Sequence, residues 1–412
     1  MQVHDGRSGQ TLHKIPGGAR HGFFGLAIAA LGDLDGDGAG DLAVGGALGD
    51  VVRIHSGRSG AVLNRLTGTS PSGIELFGVS LAAVRDIDGD GAMDLLVGAP
   101  GRDTQAQGGA SASDGCGGAY LFSGKSGALL RTLGEPVEKD QLKTRWFGRR
   151  VACAGDVDGD GVDDLAIASG DRVRLDLEGS EWRRMPGGKP PAPPDNLGAV
   201  LLARASGPSR GPDAGQVFLF SGKTGELIRH LSGERPGDGF GCALVSLGDL
   251  DGDGCAELAV GACAADGGGA LYAFDGASGR KLHVARGERP ACEFGYSLAN
   301  VGDWNVDGCA DLAVGDPCAD RGGNRIGEVA ILSGRDFSRL TTLNEGGPDL
   351  NVSDYGFAIT PLGTSTGEPT SLVVGALNGG WYGMVFAYAG DGSPPRRRLH
   401  LDLGGLYGRL RD

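Results

Sequence analysis

Short runs of apolar residues, separated by glycine-rich polar turns, recur along the whole chain. Leu95-Leu96-Val97 and Val217-Phe218-Leu219-Phe220 are examples, and Gly, Asp and Ser bound such runs. This pattern is typical of strands joined by turns. Long stretches with the 3.6-residue periodicity of an amphipathic helix are missing from the sequence. We therefore predict an all-β chain.

A pair consisting of an aromatic residue and a glycine marks a repeating unit. The pairs are Phe24-Gly25, Phe77-Gly78, Phe147-Gly148, Phe240-Gly241, Phe294-Gly295 and Tyr355-Gly356. An acidic loop begins nine residues after the aromatic in five units, whereas the sixth unit has Thr364 at that place. One apolar run follows each loop, and then come two further runs joined by a turn of the Ser-Gly-x-x-Gly kind. Units of four short strands favour a β-propeller of four-stranded antiparallel blades over a helical solenoid.

The two ends of the chain determine the predicted number of blades. Residues 1–15 contain one hairpin pattern more than the aromatic-glycine pairs require, and residues 403–412 contain Tyr407-Gly408, which is similar to the start of another unit. We predict that these segments form a seventh blade and close the ring, because closure removes exposed strand edges. Six blades plus an N-terminal hairpin is the alternative. Residues 1–412 would then form a single propeller with insertions at 101–118 and 169–215.

Each of the first five units carries an acidic loop with side-chain oxygens at loop positions 1, 3, 5 and 9. Alternate residues of a tight loop can direct their oxygens inward, and Ca²⁺ prefers six to eight oxygen ligands. Glycine at position 6 permits a sharp turn, and position 7 is expected to contribute its backbone carbonyl. The predicted ligands are Asp33, Asp35, Asp37, Ala39 and Asp41; Asp86, Asp88, Asp90, Ala92 and Asp94; Asp156, Asp158, Asp160, Val162 and Asp164; Asp249, Asp251, Asp253, Cys255 and Glu257; and Asp303, Asn305, Asp307, Cys309 and Asp311.

These loops have two other interpretations. Asp-Gly sequences also form ordinary hairpin turns, but five copies in register favour metal binding. An EF-hand needs a glutamate at position 12, where these loops have Val44, Val97, Ile167, Val260 and Val314. We predict about five Ca²⁺ ions, one per loop, and none at the sixth unit. Their role is predicted to be mainly structural, with bridging to an acidic ligand as the alternative.

The charge and the cysteines add constraints on partners and compartment. A net charge of −14 and a pI near 5.0 argue against a nucleic-acid partner and suit bound cations. An apolar run long enough to span a membrane is missing, as is a signal-peptide pattern at the start. The eight cysteines fit an oxidising compartment. Their register suggests the disulfides Cys242–Cys263 and Cys292–Cys318, with free buried thiols as the alternative.

The units resemble the FG-GAP repeats of the integrin α-subunit propeller and of related bacterial surface proteins. The resemblance rests on the Phe-Gly pair, the Asp-rich loop and a turn that is Gly98-Ala99-Pro100 in the second unit. The third unit departs from the pattern, with Ala168-Ser169-Gly170. The resemblance implies an extracellular or cell-surface protein whose loops bind calcium and whose partner binds mainly the opposite face.

We therefore expect a calcium-binding adhesion or binding module with a protein or carbohydrate partner, and no catalytic activity. Motifs of serine hydrolases, zinc proteases, phosphate loops and dinucleotide-binding folds are missing from the sequence. Basic residues of the third-unit insertion, including Arg183 and Arg184, suggest an anion or carbohydrate patch, with a solvated loop as the alternative. The alternative function is a propeller enzyme or enzyme accessory domain, either glycan-active or quinoprotein-like.

Overall fold

The computed structural model describes most of the repeating units. The described residues are 1–5, 10–17, 24–46, 51–69, 75–102, 117–136, 146–170, 214–290, 292–321, 324–344, 352–362, 371–378, 382–388 and 397–402. Within them, six antiparallel sheets of four strands follow one another along the chain, and a two-stranded hairpin precedes the first sheet. The prediction of an all-β propeller with four-stranded antiparallel blades is confirmed.

The strands of every blade pair in the order in which they occur along the chain. The N-terminal hairpin contains β1 (Gln2–His4) and β2 (Thr11–Lys14). The first blade contains β3 (Ala27–Gly32), β4 (Asp41–Gly45), β5 (Val51–His55) and β6 (Val62–Thr67). The second contains β7 (Ser80–Val84), β8 (Asp94–Ala99), β9 (Gly118–Phe122) and β10 (Leu129–Leu133). The third contains β11 (Arg150–Gly155), β12 (Asp164–Ser169), β13 (Gln216–Phe220) and β14 (Leu227–Ser232).

The remaining blades follow the same plan. The fourth contains β15 (Phe240–Gly248), β16 (Glu257–Ala262), β17 (Ala270–Phe274) and β18 (Lys281–Arg286), with a single 3-10 turn at Ala265–Gly267. The fifth contains β19 (Ser297–Gly302), β20 (Asp311–Asp316), β23 (Glu328–Leu332) and β24 (Arg339–Leu343), and between its second and third strands lies the small hairpin of β21 (Asp320–Arg321) and β22 (Asn324–Arg325). The sixth contains β25 (Val352–Leu362), β26 (Ser371–Asn378), β27 (Tyr382–Tyr388) and β28 (Arg397–Asp402).

The hydrophobic core lies between neighbouring sheets. Five apolar clusters join the six blades in sequence. The aromatics of the second to sixth repeats take part in them. Phe147 is fully buried, and its ring centroid lies 5.4 Å from that of Phe218 and 6.1 Å from that of Phe220. Such edge-on and tilted pairs add to the free energy gained by burial. The repeating aromatic therefore holds each blade against its neighbour.

The glycine that follows the aromatic allows the backbones of adjacent blades to approach closely. Gly148 has φ +89°, which L side chains rarely adopt. A Cβ on Gly98 of the second blade would lie only 2.1 Å from the carbonyl oxygen of Gly148 in the third. The recurrence of a glycine after the aromatic in every repeat is thus explained by blade-to-blade packing.

The N-terminal hairpin contacts the first blade in the same way that the outer strand of the first blade contacts the second. His13 Nε2 lies 3.0 Å from the carbonyl oxygen of Gly57, in the turn between β5 and β6. In the same way, Asn64 of the first blade donates to the carbonyl of Lys125 in the second, at 3.2 Å. The hairpin thus occupies the place of the outer half of a preceding blade. Residues 403–412 lie outside the described residues, so closure of a seventh blade stays a prediction.

Several other predictions fall on residues outside the described ranges. They concern the predicted lack of a site near Thr364 and most of both insertions, including Arg183 and Arg184. Among the described residues, the model has no helix whose length and apolarity would suit a membrane crossing.

Candidate metal centres

The five acidic loops lie at the same edge of five consecutive blades, where each connects the first strand to the second. In the second blade, β7 ends at Val84 and β8 begins at Asp94, which is loop position 9. The two strands pair antiparallel, with Val84 opposite Asp94. Each loop is therefore the turn of a β-hairpin.

The carboxylate at position 1 folds the loop around itself. In the second loop, Asp86 Oδ1 accepts hydrogen bonds from the backbone N–H groups of Gly89 at 2.7 Å and Asp90 at 3.1 Å. Asp86 Oδ2 accepts from Gly91 at 2.7 Å. These bonds hold the pKa of Asp86 below its usual value. Gly91, at position 6, has φ +85°, which explains why glycine recurs there.

The carboxylates at positions 3, 5 and 9 are held by the loop and by the neighbouring strand. Asp88 Oδ1 accepts from Asp90 N–H at 3.1 Å, and Asp90 Oδ1 accepts from Ala92 N–H at 2.9 Å. Asp94 is fully buried; its Oδ2 accepts from Ile87 N–H at 2.8 Å and its Oδ1 from Gly124 N–H at 3.3 Å. Position 9 thus connects the loop to the outer hairpin of the same blade.

Four loops gather three carboxylates within 4.8 Å of one another. The groups are Asp33, Asp35 and Asp37; Asp86, Asp88 and Asp90; Asp156, Asp158 and Asp164; Asp249, Asp251 and Glu257; and, again in the fourth loop, Asp251, Asp253 and Asp275. Ligand oxygens on opposite sides of one Ca²⁺ ion are separated by about 4.6 to 5.2 Å, twice the Ca–O distance. The spacing therefore suits a calcium ion.

The fifth loop differs from the other four in its side chains at positions 3 and 4. Asn305 occupies position 3; its Oδ1 accepts from Asp307 N–H at 3.0 Å and its Nδ2 donates to Asp307 Oδ2 at 2.9 Å. Val306 occupies position 4, where the other loops have glycine, and it adopts φ +61° with 83% of its surface exposed. Asp303 still accepts from Asp307 and Gly308, so the loop keeps its shape.

Burial raises the pKa of the carboxyl group at position 9 in four of the loops. It raises the pKa of Asp94 and of Asp164 to about 6, and that of Glu257 to about 7, with neighbouring carboxylates adding to the effect. Burial also raises the pKa of Asp311. A bound cation would favour the ionised form and so reverse these shifts. The cation-free loops therefore hold negative charge that is costly to maintain.

Comparison with known proteins identifies the repeat. Residues 77–113 and 243–274 match the family model "FG-GAP repeat". The chain contains FG-GAP repeats. The second match includes the fourth loop, whereas the first begins at the aromatic of the second blade and includes the second loop.

Relatives that are similar in sequence include integrin α-subunits. Integrin alpha-11 of Homo sapiens is 31% identical over 180 residues, which cover 40% of this chain and 14% of that protein. Integrin alpha-4 of Xenopus laevis is 30% identical over 166 residues, covering 37% and 15%. Integrin alpha-5 of Xenopus laevis is 41% identical over 106 residues, covering 23% and 10%. The matched part thus spans about one seventh or less of these relatives.

A basic side chain beside each of four FG-GAP loops was missed by the sequence analysis. Lys125 Nζ donates to the carbonyl of Asp90 at 2.8 Å, and Lys223 Nζ to that of Asp160 at 3.4 Å. Arg58 and Arg335 make the equivalent contacts with Asp37 and Asp307. All four follow the Ser-Gly of the outer hairpin turn. The signal was present in the sequence, as a Lys or Arg at one fixed place in that turn.

The outer hairpin of the fourth blade differs from the others. Asp275 replaces the serine of the turn, and Ala277 replaces the basic residue. Asp275 is 7% exposed and lies in one of the carboxylate groups of the fourth loop. This residue was absent from the predicted ligands.

In the first four loops, at least three predicted side-chain ligands thus lie close together. Their binding of calcium, and that of the fifth loop, stays a prediction. The position-7 residues Ala39, Ala92, Val162, Cys255 and Cys309 each donate their N–H to the carboxylate at position 5. The use of their carbonyls as ligands also stays a prediction.

The predicted cysteine pairs lie in the fourth and fifth blades. Cys263 N–H donates to Cys242 Sγ at 3.2 Å, so these two residues are neighbours. Cys292 and Cys318 are both buried, and burial together with the Asp316 carboxylate raises the pKa of the Cys292 thiol to about 11. Both pairings stay predictions.

Proposed function

We propose that this FG-GAP chain is a calcium-binding β-propeller that acts as an extracellular or cell-surface binding or adhesion module. One observation carries the proposal: loops at the same edge of consecutive blades each gather several carboxylates within 4.8 Å. Unpaired carboxylates at that spacing repel one another, and a hard cation removes the repulsion. Calcium is the proposed ion because all the donors are oxygens.

The calcium is proposed to act mainly as a stabiliser of the fold. About five Ca²⁺ ions would offset about ten of the fourteen net negative charges. With dissociation constants of about 10⁻⁴ to 10⁻³ M, about 1 mM calcium contributes roughly 0.4 to 1.4 kcal/mol per loop. Five loops would contribute about 2 to 7 kcal/mol, which is comparable with the net stability of a whole domain.

The partner is proposed to be a protein or a carbohydrate that binds the edge opposite the calcium loops. Support comes from the similarity to integrin α-subunits and from the charged surface at that edge of the fourth blade. There Arg235 and Arg286 pair with Asp266, and Lys281 pairs with Glu234. Exposed charges of both signs favour recognition by complementary charge.

Thermal unfolding in about 2 mM calcium and then in excess EGTA tests the calcium proposal. We expect a clearly higher Tm with calcium and about five ions per chain by elemental analysis. The same concentration of Mg²⁺ is the control, and it should stabilise less because Mg²⁺ requires a smaller octahedral site. Equal Tm values with no bound calcium would refute the proposal.

A binding screen tests the adhesion role. The calcium-loaded chain is applied to arrays of immobilised extracellular-matrix proteins and glycans, with the EGTA-treated chain as the control. Calcium-dependent capture of one ligand class supports a binding module. Turnover of a glycan without stable capture would favour the enzyme alternative instead.

Residues 1–15 and 403–412 are proposed to close a seventh blade. The position of β2 beside the first blade supports this proposal. Deleting residues 403–412 should lower the Tm of the calcium-loaded chain, because closure of the blade by this segment would cover the inner edge of the hairpin. An unchanged Tm would support six blades.

The disulfides Cys242–Cys263 and Cys292–Cys318 are proposed as part of an extracellular fold. The contact between Cys242 and Cys263 supports the first pair. Peptide mass mapping without reductant, after expression in an oxidising compartment, should find both cross-linked peptides. Alkylation of all four thiols would contradict the pairing.

A further inference from the structure

The turn between the third and fourth strands reaches the acidic loop in every one of the first five blades. In four of them it begins with serine: Ser56, Ser123, Ser221 and Ser333. This serine has two functions in the turn. Its Oγ accepts a backbone N–H within the turn, for example from Ser126 to Ser123 at 3.1 Å. In three blades its hydroxyl also donates to the position-5 carboxylate, at 3.1 to 3.3 Å.

Asp275 caps the turn as serine does, but it cannot donate a hydrogen bond to the position-5 carboxylate. Its Oδ1 accepts the N–H of Ser278 at 2.8 Å, as serine does in the other turns. An ionised carboxylate cannot donate a hydrogen bond to Asp253. Instead its carboxylate lies within 4.8 Å of those of Asp251 and Asp253. Serine's donor is thus replaced by a further negative acceptor.

The outer turn of the fourth blade also lacks the basic residue that could compensate the charge of Asp275. Where the other four turns place Lys or Arg beside the position-5 carbonyl, this turn has Ala277. The guanidinium of Arg280 lies 3.8 Å from Asp275 Oδ2, and its side chain is 68% exposed. Because the Arg280 guanidinium is largely in water and 3.8 Å away, it compensates little of the Asp275 charge. Arg229 also lies at this turn and donates to the carbonyls of Ala277 and Ser278. Five carboxylates of the fourth blade therefore surround one loop, and Arg280 and Arg229 are the cations that act on Asp275.

Glu257 gives an independent indication of a ligand. It is fully buried, and its Oε2 accepts from Leu250 N–H at 2.5 Å. Its Oε1 is buried without a hydrogen-bond partner in the described structure. In the other four loops, the shorter aspartate bonds the outer-hairpin glycine with that second oxygen. A buried unpaired carboxylate oxygen is costly unless something coordinates it, and Glu257 lies within 4.8 Å of Asp249 and Asp251.

We propose that Asp275 is a cation ligand of the fourth loop, so that this loop binds a divalent hard cation, Ca²⁺, more tightly than the other four. The inference rests on the proposed calcium binding and deepens it. The ion would join Asp249, Asp251, Asp253 and Glu257 of the loop to Asp275 of the outer hairpin. It would therefore cross-link the two hairpins of one blade through the metal.

Terbium luminescence can report the fourth and fifth loops separately. Trp304 occupies position 2 of the fifth loop and serves as its natural sensitiser, whereas Leu250 occupies that place in the fourth. Leu250→Trp combined with Trp304→Phe moves the sensitiser to the fourth loop. Calcium affinity is then measured by displacement of Tb³⁺, in the full chain with and without Asp275→Ser.

Asp275→Ser should weaken calcium binding at the fourth loop by about tenfold, because affinity in such loops follows the number of charged ligands. The same substitution, read through Trp304 in a chain with native Leu250, should leave the fifth loop unchanged. Asp275→Ser should fold, since serine caps the turn in four other blades. Asp275→Asn, which keeps the shape without the charge, should give a similar loss of affinity.

The reciprocal substitution Ser221→Asp, with Val157→Trp as sensitiser and Trp304→Phe, should tighten calcium binding at the third loop. Unchanged fourth-loop affinity in both Asp275 variants would overturn the proposal while leaving calcium binding itself intact. Failure of Tb³⁺ and Ca²⁺ to bind either loop of the parent chain would overturn the proposed function, and this inference with it. The two failures are thus distinguishable.

Discussion

The fourth and fifth loops share one backbone plan but carry very different charges. Around the fourth lie five carboxylates, those of Asp249, Asp251, Asp253, Glu257 and Asp275. Around the fifth lie three, because Asn305 and Ser333 occupy the places of Asp251 and Asp275. Arg335 adds a cation where the fourth blade has Ala277.

In both loops, position 1 accepts the N–H of position 6, at 3.0 Å in the fourth and 2.8 Å in the fifth. Position 9 likewise accepts the N–H of position 2 in both. The loop shape therefore does not depend on how many charges the loop carries. Backbone hydrogen bonds set the shape, and the surrounding charges set the affinity for a cation.

Removing the position-1 carboxylate should have the largest effect on calcium binding and stability in both loops. Asp249→Ala and Asp303→Ala should each eliminate one bound ion, because position 1 is both a predicted ligand and the acceptor of several loop N–H groups. Loss of hydrogen bonds to a charged acceptor alone costs about 1.5 to 3 kcal/mol. Calcium counts by elemental analysis and Tm in calcium provide the measurements, and we expect the greater loss of Tm from Asp249→Ala.

Asp336→Ala is the matched control for those two variants. Asp336 lies in the outer turn of the fifth blade and accepts from Ser338 N–H at 2.9 Å, outside the predicted ligand set. It should keep the full ion count. If Asp249→Ala also kept every ion, the fourth loop could not be a calcium site as described here.

The pH dependence should separate the two loops next. The pKa of Glu257 is raised to about 7 in the cation-free fold, above its unfolded value of about 4.3. Protonation therefore favours the folded state. In EGTA, this contribution to stability is fully present below about pH 4 and is lost as the pH rises through about 7. Calcium has to displace that proton, so fourth-loop affinity should fall more than tenfold between about pH 7.5 and about pH 5.5.

Displacement titrations of Tb³⁺ by calcium across that pH range, with the sensitiser in the fourth loop, provide the measurement. Glu257→Gln is the control, since it removes the titrating group and should flatten the profile. A flat profile in the parent chain would show that Glu257 is ionised before calcium binds.

Much of the loop could be predicted from the sequence because its constraints are local. Positions 1 to 9 form one hairpin turn, and the side chains at positions 1, 3 and 5 each accept an N–H from within a few residues, as Asp33 does from Gly36 and Gly38. The aromatic-glycine pairs likewise predicted the blades, since Phe147 and its counterparts fill the space between sheets. Local chemistry in register was sufficient for both.

The contacts from the outer hairpin could not be predicted in the same way. They depend on the pairing of the second and third strands, which places Leu258 opposite Phe274 and so brings Glu257 beside Asp275. Strand register becomes visible only when the sheet is assembled. The number of blades was undetermined for a related reason, because closure depends on how segments from both ends of the chain meet.

Backbone strain at position 4 should give a smaller difference. Val306 adopts φ +61°, whereas Gly252 at the same place in the fourth loop has φ +82°. A β-branched residue in this region costs about 1 to 2 kcal/mol. Val306→Gly should therefore stabilise the fifth loop, although the greater freedom of glycine in the unfolded chain offsets part of the gain. A net increase of about 0.5 to 1 kcal/mol in the free energy of unfolding is expected.

Gly252→Val provides the matched exchange in the fourth loop. It should lower the free energy of unfolding by about 1 to 2 kcal/mol, measured by denaturant titration in calcium. Gly252 N–H donates to Asp249 Oδ1 at 2.6 Å, so fourth-loop affinity should also decrease. If both exchanges proved neutral, position 4 would tolerate this conformation for any residue, and strain would not distinguish the loops.

The basic residue of the outer turn should have the smallest effect. Arg335 contacts the carbonyl of Asp307 and lies 3.7 Å from its carboxylate, with 61% of its side chain exposed. Exposed charges at such distances alter free energies by about 0.2 to 1 kcal/mol. Arg335→Ala should therefore increase calcium affinity at the fifth loop by about two- to fivefold at low salt. Ala277→Lys should weaken the fourth loop by a similar factor. Both effects should shrink in about 1 M KCl, where screening is nearly complete. Effects that persisted there would mean that these residues act through loop geometry rather than through charge.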